Sequence, residues 1–350
     1  MLNRRNFIRS LVASLVVAPS LSRAGDNKAS LPKLLPKRLS TGSKVAIVTP
    51  ASAVFDPMDL QIAKESFEAI GLEVVVGKHA LDRFGYLAGT DENRAADVNA
   101  AFADPSVDGI IALRGGWGCN RILPLLDYAS IAANPKILLG YSDITSLLNA
   151  IYAKTGMVSF HGPVGISYWS DFQVEQLKQQ LFDAQATVMR NYQKDTKPVA
   201  MRENRTRTIT GGKAKGILVG GNLTVMTTMV GSPYMPDMRG KILMLEDVGE
   251  SIYRIDRYLS TLKLAGILDQ LAGIVFGHCN DCGPQRGGYG SFTLPEIFEQ
   301  YFAPLKIPTY TGAQFGHIRD NHILAVGAEV EIDADAGTLK MLSPSVKKNH

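Results

Sequence analysis

Apolar residues in this chain gather in short continuous runs, separated by stretches where they recur every three or four positions. The first run, Lys44-Val45-Ala46-Ile47-Val48, ends at the breaker Thr49-Pro50 and predicts a buried strand. Leu60, Ala63, Phe67 and Ile70 follow at helical spacing until Gly71 stops them, and Leu72 to Val76 predicts a second strand. Asn93 to Phe102 reads as a helix, Gly109 to Leu113 as a third strand and Ile137 to Leu139 as a fourth. The helical pattern of Leu147, Leu148 and Ile151 comes next. Strands that are apolar throughout leave no face for water. Alternating with amphipathic helices, they predict a parallel sheet covered on both sides.

The pattern changes between Asp171 and Gly212, where Gln, Lys, Arg and Thr accumulate and one helix is predicted near Val174 to Phe182. Strands resume at Gly216 to Val219, Lys241 to Leu245 and Ala272 to Phe276, with helices at Leu223 to Met229 and Tyr253 to Leu264. Glu329 to Ile332 and Thr338 to Leu342 flank Asp333-Ala334-Asp335-Ala336-Gly337, a hairpin pattern. The expected class is therefore α/β: a parallel-sheet N-terminal domain at 43–170, a connection at 171–212 and a mixed β/α C-terminal domain at 213–345. Residues 25–42, rich in Lys, Pro and Ser, read as a linker.

With 45% hydrophobic and 20% charged residues in 350, the chain has the balance of a globular protein. The formal charge of +4 depends on the first residues. Arg4-Arg5, Phe7, the apolar stretch Leu11 to Ala18 and the small residues Ser22 and Ala24 read as a twin-arginine signal peptide over 1–24, addressing the chain to the periplasm. Without that segment the basic and acidic residues balance, which gives no support to a nucleic-acid-binding surface. No apolar run reaches the roughly 18 residues that would suggest a membrane span. Three cysteines make no disulfide framework. The segment His278-Cys279-Asn280-Asp281-Cys282 admits a local disulfide, two incidental thiols or half a zinc site. No second Cys/His cluster completes the four ligands of the last.

Ligands of parallel α/β sheets bind where strands run into helix N-termini, and two loops qualify. Arg114-Gly115-Gly116-Trp117-Gly118 follows the third strand and allows close backbone approach, yet lacks the Gly-Lys-Ser/Thr ending of a phosphate loop. Gly140-Tyr141-Ser142-Asp143-Ile144-Thr145 turns from strand to helix. It could expose Ser142 as a nucleophile, although Ser142 or Asp143 would serve equally as an ordinary helix cap. A serine nucleophile needs a base and an orienting acid. His161 and His317 are the better bases, with His322 behind them and His79, His278 and His350 less suited. Glu246, Asp247 and Glu250 compete as the acid. Spacing does not choose among them.

Taken together, Val45 to Ser52, Arg114-Gly115-Gly116-Trp117-Gly118, Gly140 to Thr145, Phe160-His161-Gly162-Pro163, Glu246-Asp247-Val248-Gly249-Glu250 and Gly316-His317 resemble, in order, the LD-carboxypeptidase family of serine peptidases. The resemblance spans Ser43 to Leu342. It implies a flavodoxin-like first domain and a site in the groove between domains, with Ser142 as nucleophile, His317 as base and Glu246 as acid. The oxyanion would be held by the N–H groups of Asp143 and Gly116, with Gly115 as the alternative donor. It further implies hydrolysis of the L,D-peptide bond before the terminal D-alanine of peptidoglycan tetrapeptides, no metal or organic cofactor, and a homodimer. Arg114, Trp117 and Tyr141 are expected to contact substrate. Two rivals share parts of the pattern. One is a related carboxypeptidase giving immunity to a peptide–nucleotide antibiotic, the other a non-catalytic periplasmic solute-binding protein.

Overall fold

A computed structural model describes residues 31–191, 205–284 and 290–348. The signal segment, the first residues of the expected linker and residues 192–204 of the expected connection lie outside the described residues. In chain order the strands are β1 (Lys44–Val48), β2 (Glu73–Val76), β3 (Gly109–Ala112), β4 (Ile137–Gly140), β5 (Ser159–His161), β6 (Val188–Met189) and β7 (Arg207–Thr210). Then come β8 (Lys213–Asn222), β9 (Ile242–Val248), β10 (Gly273–Asn280), β11 (Thr309–Thr311), β12 (Leu324–Val326), β13 (Glu329–Asp333) and β14 (Thr338–Met341).

The first sheet has the order β12-β5-β4-β3-β1-β2, and β1 to β5 within it are parallel. Its 2-1-3-4-5 arrangement is that of flavodoxin-like folds. β3 and β4 are buried along their whole length, which is why their sequences carry no polar alternation. Two helix ends show caps that the sequence supplies. The Thr90 side chain accepts a hydrogen bond from Asn93 N ahead of the helix Asp91–Ala103, and Gly71 takes the left-handed conformation after the helix Met58–Ile70.

The second sheet runs β6-β14-β13-β8-β9-β10-β11-β7. Its centre, β8 to β11, is parallel and its flanks are antiparallel, with β13 and β14 forming the expected hairpin. The observed fold is thus mixed α/β, with one parallel-rich sheet and one mixed sheet. Cys279 and Cys282 at the end of β10 are joined by a disulfide. Among the described residues no helix is long and apolar enough to cross a membrane, and no group of three or more His, Cys, Asp or Glu could hold a metal ion.

Three segments depart from the sequence pattern. Leu34 and Lys37, in the stretch read as a linker, bridge to Met157 and Lys347, and Leu39 is buried, so this stretch packs onto the body. The polar connection contributes β6 and β7, each at an edge of the second sheet, where residues are partly exposed and the apolar signal is diluted. β12, from the C-terminal half, pairs antiparallel with β5 and closes one edge of the first sheet. From Pro32 onward the chain forms one compact unit.

Polar side chains on the helix Thr145–Thr155 fix the sheets to one another. Asn149 Nδ2 donates to Gly220 O (2.8 Å) and to Thr145 O (2.7 Å), while its Oδ1 accepts from Gly220 N (3.0 Å). Thr145 Oγ1 accepts from Asn222 N at 2.9 Å. Gly220 and Gly221 adopt positive φ, and a methyl on Gly221 would lie 2.4 Å from Thr145 Oγ1, so glycine permits the approach. Asn149 is fully buried, and its loss strands a buried N–H and C=O together. Asn149→Ala is therefore expected to destabilise the fold by about 2–4 kcal/mol, read as a lower urea midpoint at unchanged m-value. A loss below about 0.5 kcal/mol would mean the pin contributes nothing net.

Candidate active site

β4 ends in Gly140, and the chain turns through Tyr141 into the single turn Ser142–Ile144 and then the helix Thr145–Thr155. Ser142 holds φ +63°, a left-handed conformation that an L-residue adopts at a cost of about 1–3 kcal/mol. The ordinary capping role considered for Ser142 and Asp143 is not what the structure shows. Neither the turn nor the helix has a side-chain cap at its start. Asp143 Oδ2 instead accepts from Cys119 N at 2.7 Å, reaching across to the glycine loop. Burial lifts the Asp143 carboxyl to a pKa of about 6, against the opposing pull of the Cys119 donors.

The glycine loop lies directly against this turn. A methyl on Gly115 would come 2.7 Å from Ser142 Cβ, 2.9 Å from Ser142 Oγ and 3.3 Å from Asp143 N. Gly116 has φ +112°, and a methyl there would strike the Ser52 side chain, which accepts from Trp117 N at 3.0 Å. Each glycine marks a place where only backbone fits. Arg94, fully buried, donates to Gly118 O (2.9 Å) and Pro50 O and pairs with Asp91, anchoring the far end of the loop.

Glu246 sits near the carboxyl end of β9, buried and opposite Asn222 of β8 in the strand register. Its Oε2 lies 2.7 Å from His317 Nδ1. Gly316, at φ +120°, makes that approach possible, since a methyl there would fall 3.0 Å from Glu246 Cβ and Oε2. Asn280 Nδ2 donates to His317 O at 2.6 Å and holds the base segment from behind. With Nδ1–H engaged by the carboxylate, the neutral ring keeps its lone pair on Nε2, the nitrogen that accepts a proton in general-base catalysis. The Tyr141 ring is 4.8 Å from that of His317, so the residue preceding Ser142 touches the imidazole. Burial disfavours charge on His317. The hydrogen bond and negative charge of Glu246, helped by Asp247, outweigh it and leave the imidazole above its ordinary value.

Other candidates have different occupations. Asp247 accepts from Asn222 Nδ2 (3.0 Å), Thr224 N (3.0 Å) and Thr224 Oγ1 (2.8 Å), and so braces the β8 turn. Glu250 pairs with Arg254 at the surface. His322 is buried, bonded to Gln176 and to Arg190 O, and pushed down to about 4 by burial. His79 pairs with Asp82. His278 is on β10, and His350 lies outside the described residues. Arg114 Nη1 donates to Ala53 O at 3.0 Å, while Trp117 is exposed and Tyr141 half-buried. Asn149, Asn222 and Asn280 escaped the sequence reading, because a lone amide carries no spacing signal.

A strained serine facing a glycine loop, preceded by a tyrosine in contact with an imidazole that a buried carboxylate holds, is the equipment of a serine hydrolase. Residues 45–162 match the LD-carboxypeptidase N-terminal domain and residues 215–332 the LD-carboxypeptidase C-terminal domain. The chain belongs to the LD-carboxypeptidase family and is a serine-type carboxypeptidase, which sets aside the solute-binding alternative. The murein tetrapeptide carboxypeptidase of Pseudomonas aeruginosa is 32% identical over 300 residues, 83% of this chain and 94% of that protein. A crystal structure of muramoyltetrapeptide carboxypeptidase from Oxalobacter formigenes matches with TM-score 0.74 and 31% identity, over 88% of this chain and all of that one. The microcin C7 self-immunity protein MccF of Escherichia coli is 32% identical over 295 residues, 77% of this chain and 84% of that protein. A solved structure of MccF matches with TM-score 0.80 and 27% identity over 90% of this chain and 100% of that one.

Because His317 binds its proton more tightly folded than unfolded, its stabilising effect is complete below about pH 6.5 and fades as pH rises through the raised folded value. In an NMR titration the His317 ring should titrate above 6.5, and in Glu246→Gln below it, because burial then prevails. The stability difference between the two proteins should narrow with rising pH over the same window. A His317 midpoint unmoved by Glu246→Gln would refute this electrostatic account.

Proposed function

We propose that the enzyme hydrolyses the L,D-peptide bond before the terminal D-alanine of peptidoglycan tetrapeptides, using Ser142, His317 and Glu246. The observation that carries the reading is the 2.7 Å Glu246–His317 contact, with His317 in turn against Tyr141, the residue preceding a serine held at φ +63°. Ser142 Oγ attacks the carbonyl carbon while its proton passes to His317 Nε2, and Glu246 stabilises the imidazolium. N–H groups of Asp143 and Gly116 receive the developing oxyanion; losing one such donor costs about 3–4 kcal/mol of barrier. Collapse expels the D-alanine amine, which takes the proton from His317 and leaves an acyl-serine. Water, deprotonated by the same imidazole, then releases the tripeptide carboxylate and restores Ser142.

Remaining parts of the reading rest on the sequence and the relatives. Arg4-Arg5 and the apolar stretch behind them support export by the twin-arginine route and work in the periplasm on stem peptides. The family resemblance supports a homodimer. Arg114 and Trp117 belong to the loop whose Gly115 faces Ser142, and Tyr141 touches the His317 ring, which supports a role for them in substrate contact; Arg114 is the cation suited to a substrate carboxylate. A second reading, cleavage of a peptide–nucleotide antibiotic, draws on the higher TM-score with MccF, 0.80 against 0.74. Relatives bearing murein names, and the export signal, favour the first.

Incubation with a purified muropeptide tetrapeptide should release D-alanine. Ser142→Ala should lose about 10⁴-fold or more in kcat while keeping its circular dichroism spectrum. No D-alanine from any stem peptide across mildly acid to alkaline pH would defeat the substrate assignment. Turnover of an aminoacyl sulfamoyl adenosine in the same assay would then establish the second reading.

A further inference from the structure

His161 has no part in the mechanism above, although it stands beside it. It is the last residue of β5, paired in register with Gly140 of β4, immediately before the nucleophile turn. The ring is fully buried between Tyr141, at 6.0 Å between centroids, and Phe315, at 5.9 Å. Neither ring nitrogen has a hydrogen-bond partner. On the other side of the same cluster, Glu246 uses Oε2 for His317 and leaves its buried Oε1 without a partner. A buried polar group without a partner is uncommon, and each asks for an explanation. Here a buried donor–acceptor ring and a buried carboxylate oxygen share one small neighbourhood, and each could supply what the other lacks.

We propose that His161 is a positioning residue, whose ring N–H satisfies Glu246 Oε1 through one bridging water and so fixes the carboxylate against His317. This rests on the assignment of Glu246 and His317 as acid and base. A water with two such polar neighbours is of the kind that buried sites retain. Chemically the ring suits the task because it stays neutral. Burial holds His161 down to about 4, with Glu246 favouring the charge and His317 opposing it. At neutral pH it therefore offers one donor and brings no competing cation to the carboxylate. The charged groups acting on it are Glu246 and His317, with Asp247 acting on His317 from the next position of β9.

The test compares His161→Met, which fills space without a donor, with His161→Gln, which keeps one. Met should lower kcat on the order of tenfold to a hundredfold at unchanged KM, and Gln should recover most of it. Without the donor the carboxylate attracts the imidazolium more strongly. The His317 midpoint, measured by NMR in the free enzyme, should therefore move to higher pH in the Met variant only. In the ¹⁵N-labelled wild type, His161 should remain neutral across the titration and show a downfield ring proton protected from exchange. Equal impairment of Met and Gln with an unmoved His317 midpoint, or a wild-type His161 without a protected ring proton, would overturn the proposal. Because the titration needs no substrate, it separates this outcome from failure of the wider mechanism, which Ser142→Ala with undiminished turnover would reveal.

Discussion

Everything the site does depends on the junction where the helix after Ser142 is pinned to β8. Ser142 follows β4 of one sheet, while Glu246 lies on β9 of the other and His317 in the loop between β11 and β12, so no covalent neighbour relation holds them together. Asn149 and Thr145 supply the link by bonding the backbone of Gly220 and Asn222. Asn222 is the register partner of Glu246. A short series of contacts thus runs from nucleophile to acid through backbone groups with few alternative partners. Asp247 braces the same turn through Asn222 and Thr224, which explains an acid kept beside Glu246 without sharing its task.

Glu246 illustrates how burial and chemistry are balanced here. A carboxylate fully removed from water is costly to maintain, and a single partner seldom offsets the loss of hydration. What the enzyme gains is an imidazole whose proton affinity, opposed by burial, is raised chiefly by one fixed neighbour with help from Asp247. Glycine at 316 is part of that arrangement, because any side chain would hold the base segment away from the acid.

Much of this was legible in the residue order, for identifiable reasons. Buried parallel strands announce themselves as unbroken apolar runs, so β1, β3 and β4 were plain. Short pieces such as β5, β11 and β12 were not, since three residues carry no period. The serine and glycine loops stood out because strand-to-helix turns restrict which residues fit. Choosing His317 over His161, or Glu246 over Asp247, is another matter. That choice depends on which side chains meet across some 70 residues of chain, as His317 and Glu246 do at a separation of 71. Motif order supplied it by resemblance, whereas spacing alone left it open.

Strand β12 carries a consequence for synthesis. The sheet that bears the nucleophile is completed at one edge only by residues 324–326, and the stretch around Leu34 to Lys37 is tied to Met157 and Lys347. Such contacts join distant parts of the polypeptide, giving a high contact order and a slow, late search for the native state. A ribosome must release nearly the whole chain before β12 can pair or Lys37 can bridge to Lys347. Topology therefore delays completion of the nucleophile-bearing sheet until synthesis is almost finished.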